Sequence, residues 1–293
     1  MGWSAILKKI HASNEIFRLT NEESLILYDD APLHQLMNAA QHRRNLHNPK
    51  NQVTYLVDRN INYTNVCTIN CQFCSFYRPP GHEETYTQTY DEIRNRIVEL
   101  EAIGGSRILM QGGVNPELDI DWYIGLIEVL RKHHSTIQLD CFSPIEIEGI
   151  AEVTKSTTLE VLTRFKKAGM HGLPGGGAEM LVETVRTDVS PKKGHPDNWL
   201  RVMEEAQCLG LTTSATNVIG FGETNSNRIE HLNRIRQQQE RVQSLGHTGF
   251  TSFIAWPVQL ETNTFGKRNN VFFGVVLRVD KLQNANDFAG IVF

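Results

Sequence analysis

Long apolar runs are missing from this 293-residue sequence. Its most apolar stretches, such as residues 271–277, fall far short of the ~20 residues that a membrane-spanning helix needs. No membrane association is expected. The first nine residues, Met1 to Lys9, hold no apolar segment of signal-peptide length. A cytoplasmic location is therefore expected, where disulfides do not persist. Basic runs are missing too, and the net charge is −4. Nothing in the charge pattern favours nucleic acid as a partner. Cysteine is scarce, with five in the whole chain. What is present is ordinary for a globular protein, with 40% hydrophobic and 21% charged residues. The length suffices for one large core.

The few cysteines are not spread evenly. Three of the five fall within one short stretch, as Cys67-x3-Cys71-x2-Cys74, with Phe73 directly before the last. Thiolates are the usual ligands of iron–sulfur clusters, and a cubane takes four ligands. Three cysteines leave one iron open to a ligand that is not cysteine. Structural zinc is the competing reading, but it is normally closed by four ligands in pairs such as C-x2-C. The sequence has no second pair. The other two, Cys141 and Cys208, lie inside apolar patterns and are expected to be core thiols.

This spacing, with the aromatic residue before the third cysteine, resembles the radical S-adenosylmethionine (SAM) superfamily. The flanks Val57-Asp58-Arg59-Asn60-Ile61-Asn62-Tyr63-Thr64-Asn65-Val66-Cys67 and Phe76-Tyr77-Arg78-Pro79-Pro80-Gly81 are more specific. They resemble the cyclic dehypoxanthine futalosine synthases of the futalosine route to menaquinone. Near relatives of that group are the aminofutalosine synthases and the enzymes of the deazaflavin chromophore. The resemblance implies a [4Fe-4S] cluster held by Cys67, Cys71 and Cys74, with SAM on the open iron. It implies a nucleoside-like small-molecule substrate and an electron donor such as flavodoxin or ferredoxin. In that family a 5′-deoxyadenosyl radical takes a hydrogen from the substrate ribose, and the ring closes onto the benzoate.

Along the chain, residues 1–50 read as a helical cap. Thr20-Asn21-Glu22-Glu23 has the form of a capping box, and Pro32 opens a helix to about residue 47. Residues 53–57 form a β-rich run. Helical periodicity then marks 90–103, 120–133, 159–168, 199–209 and 228–245. Short apolar runs mark strands at 107–110, 137–142, 170–173, 212–219 and 250–256. Such alternation means parallel βαβ units. By itself it leaves a barrel and a doubly wound sheet open. The resemblance implies an α/β fold, a partial (β/α)6 TIM-like barrel spanning 51–264, with a divergent tail at 265–293. The resemblance covers about 16–264. Beyond it, only Asn286-Asp287-Phe288 matches a family element. That shortened end supports a second reading, a non-catalytic cluster protein whose barrel lacks a wall.

In parallel α/β folds, reactive residues gather at the C-terminal ends of strands. Unusual residues collect there: the cysteine loop, Gln111-Gly112-Gly113, Ser143-Pro144-Ile145-Glu146, the glycine run Gly175-Gly176-Gly177 before Glu179, and Gly220-Phe221-Gly222-Glu223. A glycine pair after a strand is often only a turn. By resemblance, Gln111, Gly112 and Gly113 hold the SAM amino group, Glu179 the SAM ribose, and Ser143 lies near the same nucleoside. Phe73 either packs beside the cluster and adenine or is an ordinary core residue. Glu146 and His171 are the candidates for a general base, and Glu223 reads equally as a surface carboxylate. Arg59 and Arg78 flank the cysteine loop, where a guanidinium can grip a carboxylate. Most of the 11 histidines, His231 among them, lie in polar stretches and are expected at the surface.

Overall fold

A computed structural model of the chain describes residues 1–14, 17–50 and 52–269. Three helices come first: α1 (Trp3–Ala12), α2 (Asn21–Asp30) and α3 (Leu33–His47). The expected capping box at Thr20 is formed, with the Thr20 hydroxyl accepting from the Glu23 amide and the Glu23 carboxylate accepting from the Thr20 amide. Ile6, Leu7, Ile10, Leu27 and Ala39 make a small apolar cluster of their own.

Six strands and their helices follow: β1 (Asp58–Asn62), α4 (Tyr90–Ala102), β2 (Arg107–Gln111), α5 (Ile120–His133), β3 (Gln138–Cys141), α6 (Pro144–Thr154), α7 (Thr158–Ala168), β4 (Gly172–Leu173), α8 (Glu183–Val189), α9 (Pro196–Cys208), β5 (Thr212–Ile219), α10 (Asn225–Ser244), β6 (Phe250–Pro257) and α11 (Thr264–Arg268). A short 3-10 turn, Pro191–Lys193, lies between α8 and α9. The six strands form one sheet in the order β1-β2-β3-β4-β5-β6, and every pairing is parallel. A doubly wound sheet needs a point where strand order reverses, and this order never does. Right-handed crossovers therefore put all the helices on one face, and the sheet curls into a half-barrel. The core fills the space between sheet and helices, with Ile97, Leu126, Leu139, Phe165 and Trp199 fully buried.

Several sequence expectations need correction. The β-rich run at 53–57 is not the first strand, which begins at Asp58. Val53 and Tyr55 are exposed instead. Helix α6 was not expected. It is buried almost all round, from Pro144 through Ala151, so it has no polar face to give it periodicity. Cys141 is buried as expected, but Cys208 is exposed at the end of α9. His231 is wholly buried, its Nδ1 accepting from the Leu181 amide at 3.0 Å. Burial pushes its pKa down to about 3, so the ring is neutral. Glu223 is not a surface carboxylate: it accepts from the Gly220 amide at 3.0 Å and pairs with Arg228 at 2.7 Å. Arg228 in turn donates to the Tyr28 hydroxyl of the N-terminal helices at 2.5 Å. Helix α11 crosses the expected boundary at 264/265. The remainder of the tail, with Asn286-Asp287-Phe288, lies outside the described residues.

Candidate active site

The cysteine loop leaves β1 at Tyr63 and is stitched to its neighbours by backbone bonds. The Cys67 amide donates to the Arg78 carbonyl at 2.9 Å, and Thr68 to the Val114 carbonyl at 3.1 Å. Gln72 donates to the Val189 carbonyl at 3.0 Å, and Cys74 to Cys71 at 3.2 Å. Arg78 shapes the loop from inside, donating to the carbonyls of Ser75 and Tyr77. Arg59 turns away and pairs with Glu99 of α4. The three thiols are all half-buried. Burial raises the Cys67 and Cys74 thiols, while amides from Ile69 and Val114 aimed at Cys67 Sγ oppose this, each at 3.4 Å.

Gly112 and Gly113 are required by close approach. A Cβ on Gly113 would lie 2.1 Å from the Val66 carbonyl oxygen and 2.7 Å from Cys67 Cβ. The pair lets the end of β2 lie flat against the cysteine loop. Gln111 Nε2 donates to the Phe142 carbonyl at 3.1 Å. It also sits where a Cβ on Gly176 would be, at 2.3 Å. Ser143 Cβ is 3.4 Å from the same point. Gln111, Ser143 and the glycine run therefore converge above the strand ends.

Phe142 has φ +67°, in the left-handed region that a bulky side chain rarely enters. Its ring is locked between Tyr63, Tyr123 and Phe165. Glu179 is left-handed too, with φ +43°. Its carbonyl accepts from the Val218 amide and Asn217 Nδ2, at 2.7 and 3.1 Å. Such strain gathers at functional sites when the surroundings enforce it.

The Glu179 carboxylate is nearly buried. Oε1 holds Lys193 Nζ at 2.5 Å, Arg186 stands 3.8 Å from Oε2, and Oε2 accepts no hydrogen bond. Lys193 is 7% exposed and lies 5.1 Å above the Phe73 ring. Burial alone would lower the Lys193 ammonium, but the Cys71 sulfur and the Glu179 carboxylate beside it hold it above its ordinary value. Arg186 is 1% exposed and donates to the carbonyls of Gly177, Ala178 and Gly194. Sequence reasoning missed both cations. The only local signal is a tight turn bounded by Pro191 and Gly194. Phe73 itself packs on Phe221, centroids 5.1 Å apart, in a cluster with Val189 and Phe265.

The two candidate bases part company. His171 precedes β4 at the N-terminal end of the sheet, its carbonyl accepting from Thr212 at the start of β5. Its Nδ1 accepts from the Leu139 amide at 2.9 Å. It is therefore at the opposite end from the cysteines, and its role as a base in this site is withdrawn. Glu146 is at the right end but sealed. Its Oε1 accepts from the Tyr63 hydroxyl at 2.7 Å and the Gly112 amide at 3.0 Å, and its Oε2 from the Ser143 hydroxyl at 2.7 Å.

Burial raises the Glu146 pKa from 4.5 to about 7, against the pull of those donors. The facing Tyr63 and Tyr123 hydroxyls and the Cys141 thiol are all raised by burial and stay neutral. The folded state thus holds a proton on Glu146 that the unfolded chain releases near pH 4.5. Stability is expected to fall as pH rises from about 4.5 to 7, by at most about 3 kcal/mol from this group. Urea unfolding of wild type and Glu146→Gln at pH 5 and pH 8 checks it. The stability difference between the two should shift toward the variant at pH 8. A difference that ignores pH would count against it.

Among the described residues, no three His, Cys, Asp or Glu side chains converge as they would on a single metal ion. A mononuclear zinc site does not fit. Three thiols in one loop, with amides and a buried ammonium to offset their charge, fit a cluster with one open corner. Similarity to known proteins agrees. The radical SAM superfamily matches residues 61–235, and the chain belongs to it. Its cofactors are a [4Fe-4S] cluster and SAM. The chain is 39% identical over 244 residues to the cyclic dehypoxanthine futalosine synthase of Halalkalibacterium halodurans, covering 83% of this chain and 65% of that protein. It is 38% identical over 211 residues to a 5-amino-6-(D-ribitylamino)uracil–L-tyrosine 4-hydroxyphenyl transferase of Synechocystis sp., covering 70% of this chain and 54% of that one. The chain thus spans less than two thirds of either relative. In fold it is similar to HydG, a maturase of the [FeFe]-hydrogenase, with a TM-score of 0.69 and 17% identity over 88% of this chain and 54% of that one.

Proposed function

We propose that the chain is a radical SAM cyclase of the cyclic dehypoxanthine futalosine synthase type, acting in menaquinone biosynthesis in the cytoplasm. The convergence of cysteine loop, Gln111-Gly112-Gly113, glycine run and Glu179 at one end of the half-barrel carries this reading. The flanking sequence 57–81 and the identity to the futalosine relative favour the cyclase. When bound, the cluster and SAM supply a 5′-deoxyadenosyl radical that can take a hydrogen atom from a nucleoside-like substrate.

The chain's own share is binding and orientation. Cys67, Cys71 and Cys74 hold the cluster. Gln111, Gly112 and Gly113 face the SAM amino group. Glu179, its carboxylate fixed by Lys193 and Arg186, is read as the acceptor for a ribose hydroxyl, which its Oε2, without a hydrogen bond in this structure, supports. Ser143 lies on the nucleoside side, its hydroxyl committed to Glu146. Phe73, within the cysteine loop, packs on Phe221 beneath Lys193. Phe253 and Ala255 line a small cavity against Arg228 and Leu232 of α10. The alternate residues Ile254 and Trp256 therefore face the barrel interior, where they are 38% and 45% exposed. They offer an apolar wall for the benzoate. An electron donor such as flavodoxin or ferredoxin would reach the cluster from the loop face, where Phe76 is exposed.

Anaerobic incubation of reconstituted protein with SAM, reductant and dehypoxanthine futalosine tests the reading. Cyclised product of unchanged carbon content, two hydrogens lighter than the substrate, is expected by mass. The relative named as a tyrosine 4-hydroxyphenyl transferase gives a second arm, L-tyrosine with 5-amino-6-(D-ribitylamino)uracil. Turnover in that arm alone would move the assignment there. No SAM cleavage in either would favour a non-catalytic cluster protein.

A further inference from the structure

Glu146 has an acidic side chain in the place where the ends of the first three strands meet. Its three donors come from three different elements. Tyr63 lies at the end of β1, four residues before Cys67; Gly112 follows β2; Ser143 caps α6 after β3. Replacing this carboxylate by an apolar group would leave all three donors buried and unpaired, which is why burial alone does not exclude it. A general base needs a free lone pair aimed at substrate, and this carboxyl has committed both oxygens.

The Gly112 contact leads to the cluster. From Gly112 the chain runs two residues to Val114, whose amide points at Cys67 Sγ, 3.4 Å away. Between them, Gly113 donates to the Thr64 carbonyl at 3.2 Å, and Thr68 donates to the Val114 carbonyl at 3.1 Å. The 112–114 segment therefore lies against 64–68 as a short ladder. Glu146 anchors one end of that ladder, and the Val114 N–H···Sγ bond lies at the other. Gly112 and Gly113 have no side chains to hold the segment, so the carboxylate is its side-chain anchor.

We propose that Glu146 is a positioning residue that keeps the Val114 amide on the Cys67 sulfur and so sets how easily the cluster is reduced. Hydrogen bonds to cluster sulfurs stabilise the extra negative charge of the reduced form and raise its potential. Slackening this one lowers it. The inference needs only the cluster, which superfamily membership supplies. It is independent of which substrate is turned over.

The test is an EPR-monitored redox titration of anaerobically reconstituted wild type, Glu146→Asp and Val114→Pro, without substrate. Aspartate keeps the charge but draws the carboxylate back from Gly112; proline at 114 removes the N–H, and also fixes φ and changes the side chain. Iron and sulfide content and thermal melting are measured on the same samples. Both variants are expected to load a full cluster and to titrate at a lower potential, so that at one fixed poise the reduced fraction falls several-fold. A fully loaded Glu146→Asp protein with the wild-type midpoint overturns the proposal. So does a loaded Val114→Pro protein that titrates with wild type. Should Glu146→Asp not fold, Ser143→Ala, which frees the second oxygen of the carboxyl, is expected to move the midpoint the same way by less, and an unchanged midpoint there counts equally against it.

Discussion

The Cys67→Ala protein is expected to bind little iron and to release no 5′-deoxyadenosine from SAM above a no-enzyme control. Cys67 is the thiol tied to the segment that follows β2. Two amides point at its sulfur, and the Gly113 backbone lies against its Cβ. Two remaining thiolates cannot occupy three corners of a cluster. Neither of the other cysteines can stand in. Cys141 is wholly buried in β3, and Cys208 is exposed at the end of α9, by the opposite rim of the sheet. The loss should therefore be complete rather than graded. Iron and sulfide content with chromatography of the nucleoside product measures it. Wild-type iron content in the variant would sink the cluster assignment.

The second large effect is at a residue without a side chain. Gly113→Ala should lower stability by about 3 kcal/mol or more and weaken cluster retention, because the atoms met by the new methyl are backbone of the cysteine loop. A flexible side chain could turn away; the Val66 carbonyl cannot without moving Cys67. Gly222→Ala is the comparison. Its φ is +88° but nothing lies within 4 Å of an added Cβ. There only the left-handed backbone is penalised, by about 1 kcal/mol. Urea melts of the two variants, with iron content after reconstitution, should separate them clearly. Equal melts, with full iron in both, would show that the loop yields at Gly113.

Where amphipathic periodicity is strong, the sequence states the fold. The expected helix at 120–133 and strand at 212–219 coincide with α5 and β5. Each of these has one face in the core and turn residues at its ends. Elements that break that rule were not legible. Helix α6 is buried on nearly all sides, and α8 has only seven residues. The first strand, Asp58–Asn62, is polar because it is an edge strand paired only with β2. The glycines, the cysteines and Glu179 stood out because they are costly residues to place without reason. Lys193 and Arg186 did not, since nothing local distinguishes a buried cation from a solvated one. His231 sits among Glu230, Asn233 and Arg234 and looks solvated for the same reason. Only the fold shows that it supports the segment just after Glu179.

The sheet itself is an open crescent, since β1 and β6 do not pair. Yet the rim is closed. After β6 the chain returns to the cysteine loop, where Phe265 donates its amide to the Gln72 carbonyl at 2.7 Å and Ser75 donates to the Glu261 carbonyl at 3.1 Å. Arg268 reaches Gln72 at 2.9 Å and Asp188 at 2.8 Å. Among the described residues, the first and last βα units are thus clasped at the end that carries the thiols. The strap that closes the rim is also a brace on the cysteine loop, because Gln72 lies between two of the thiols and Ser75 follows the third.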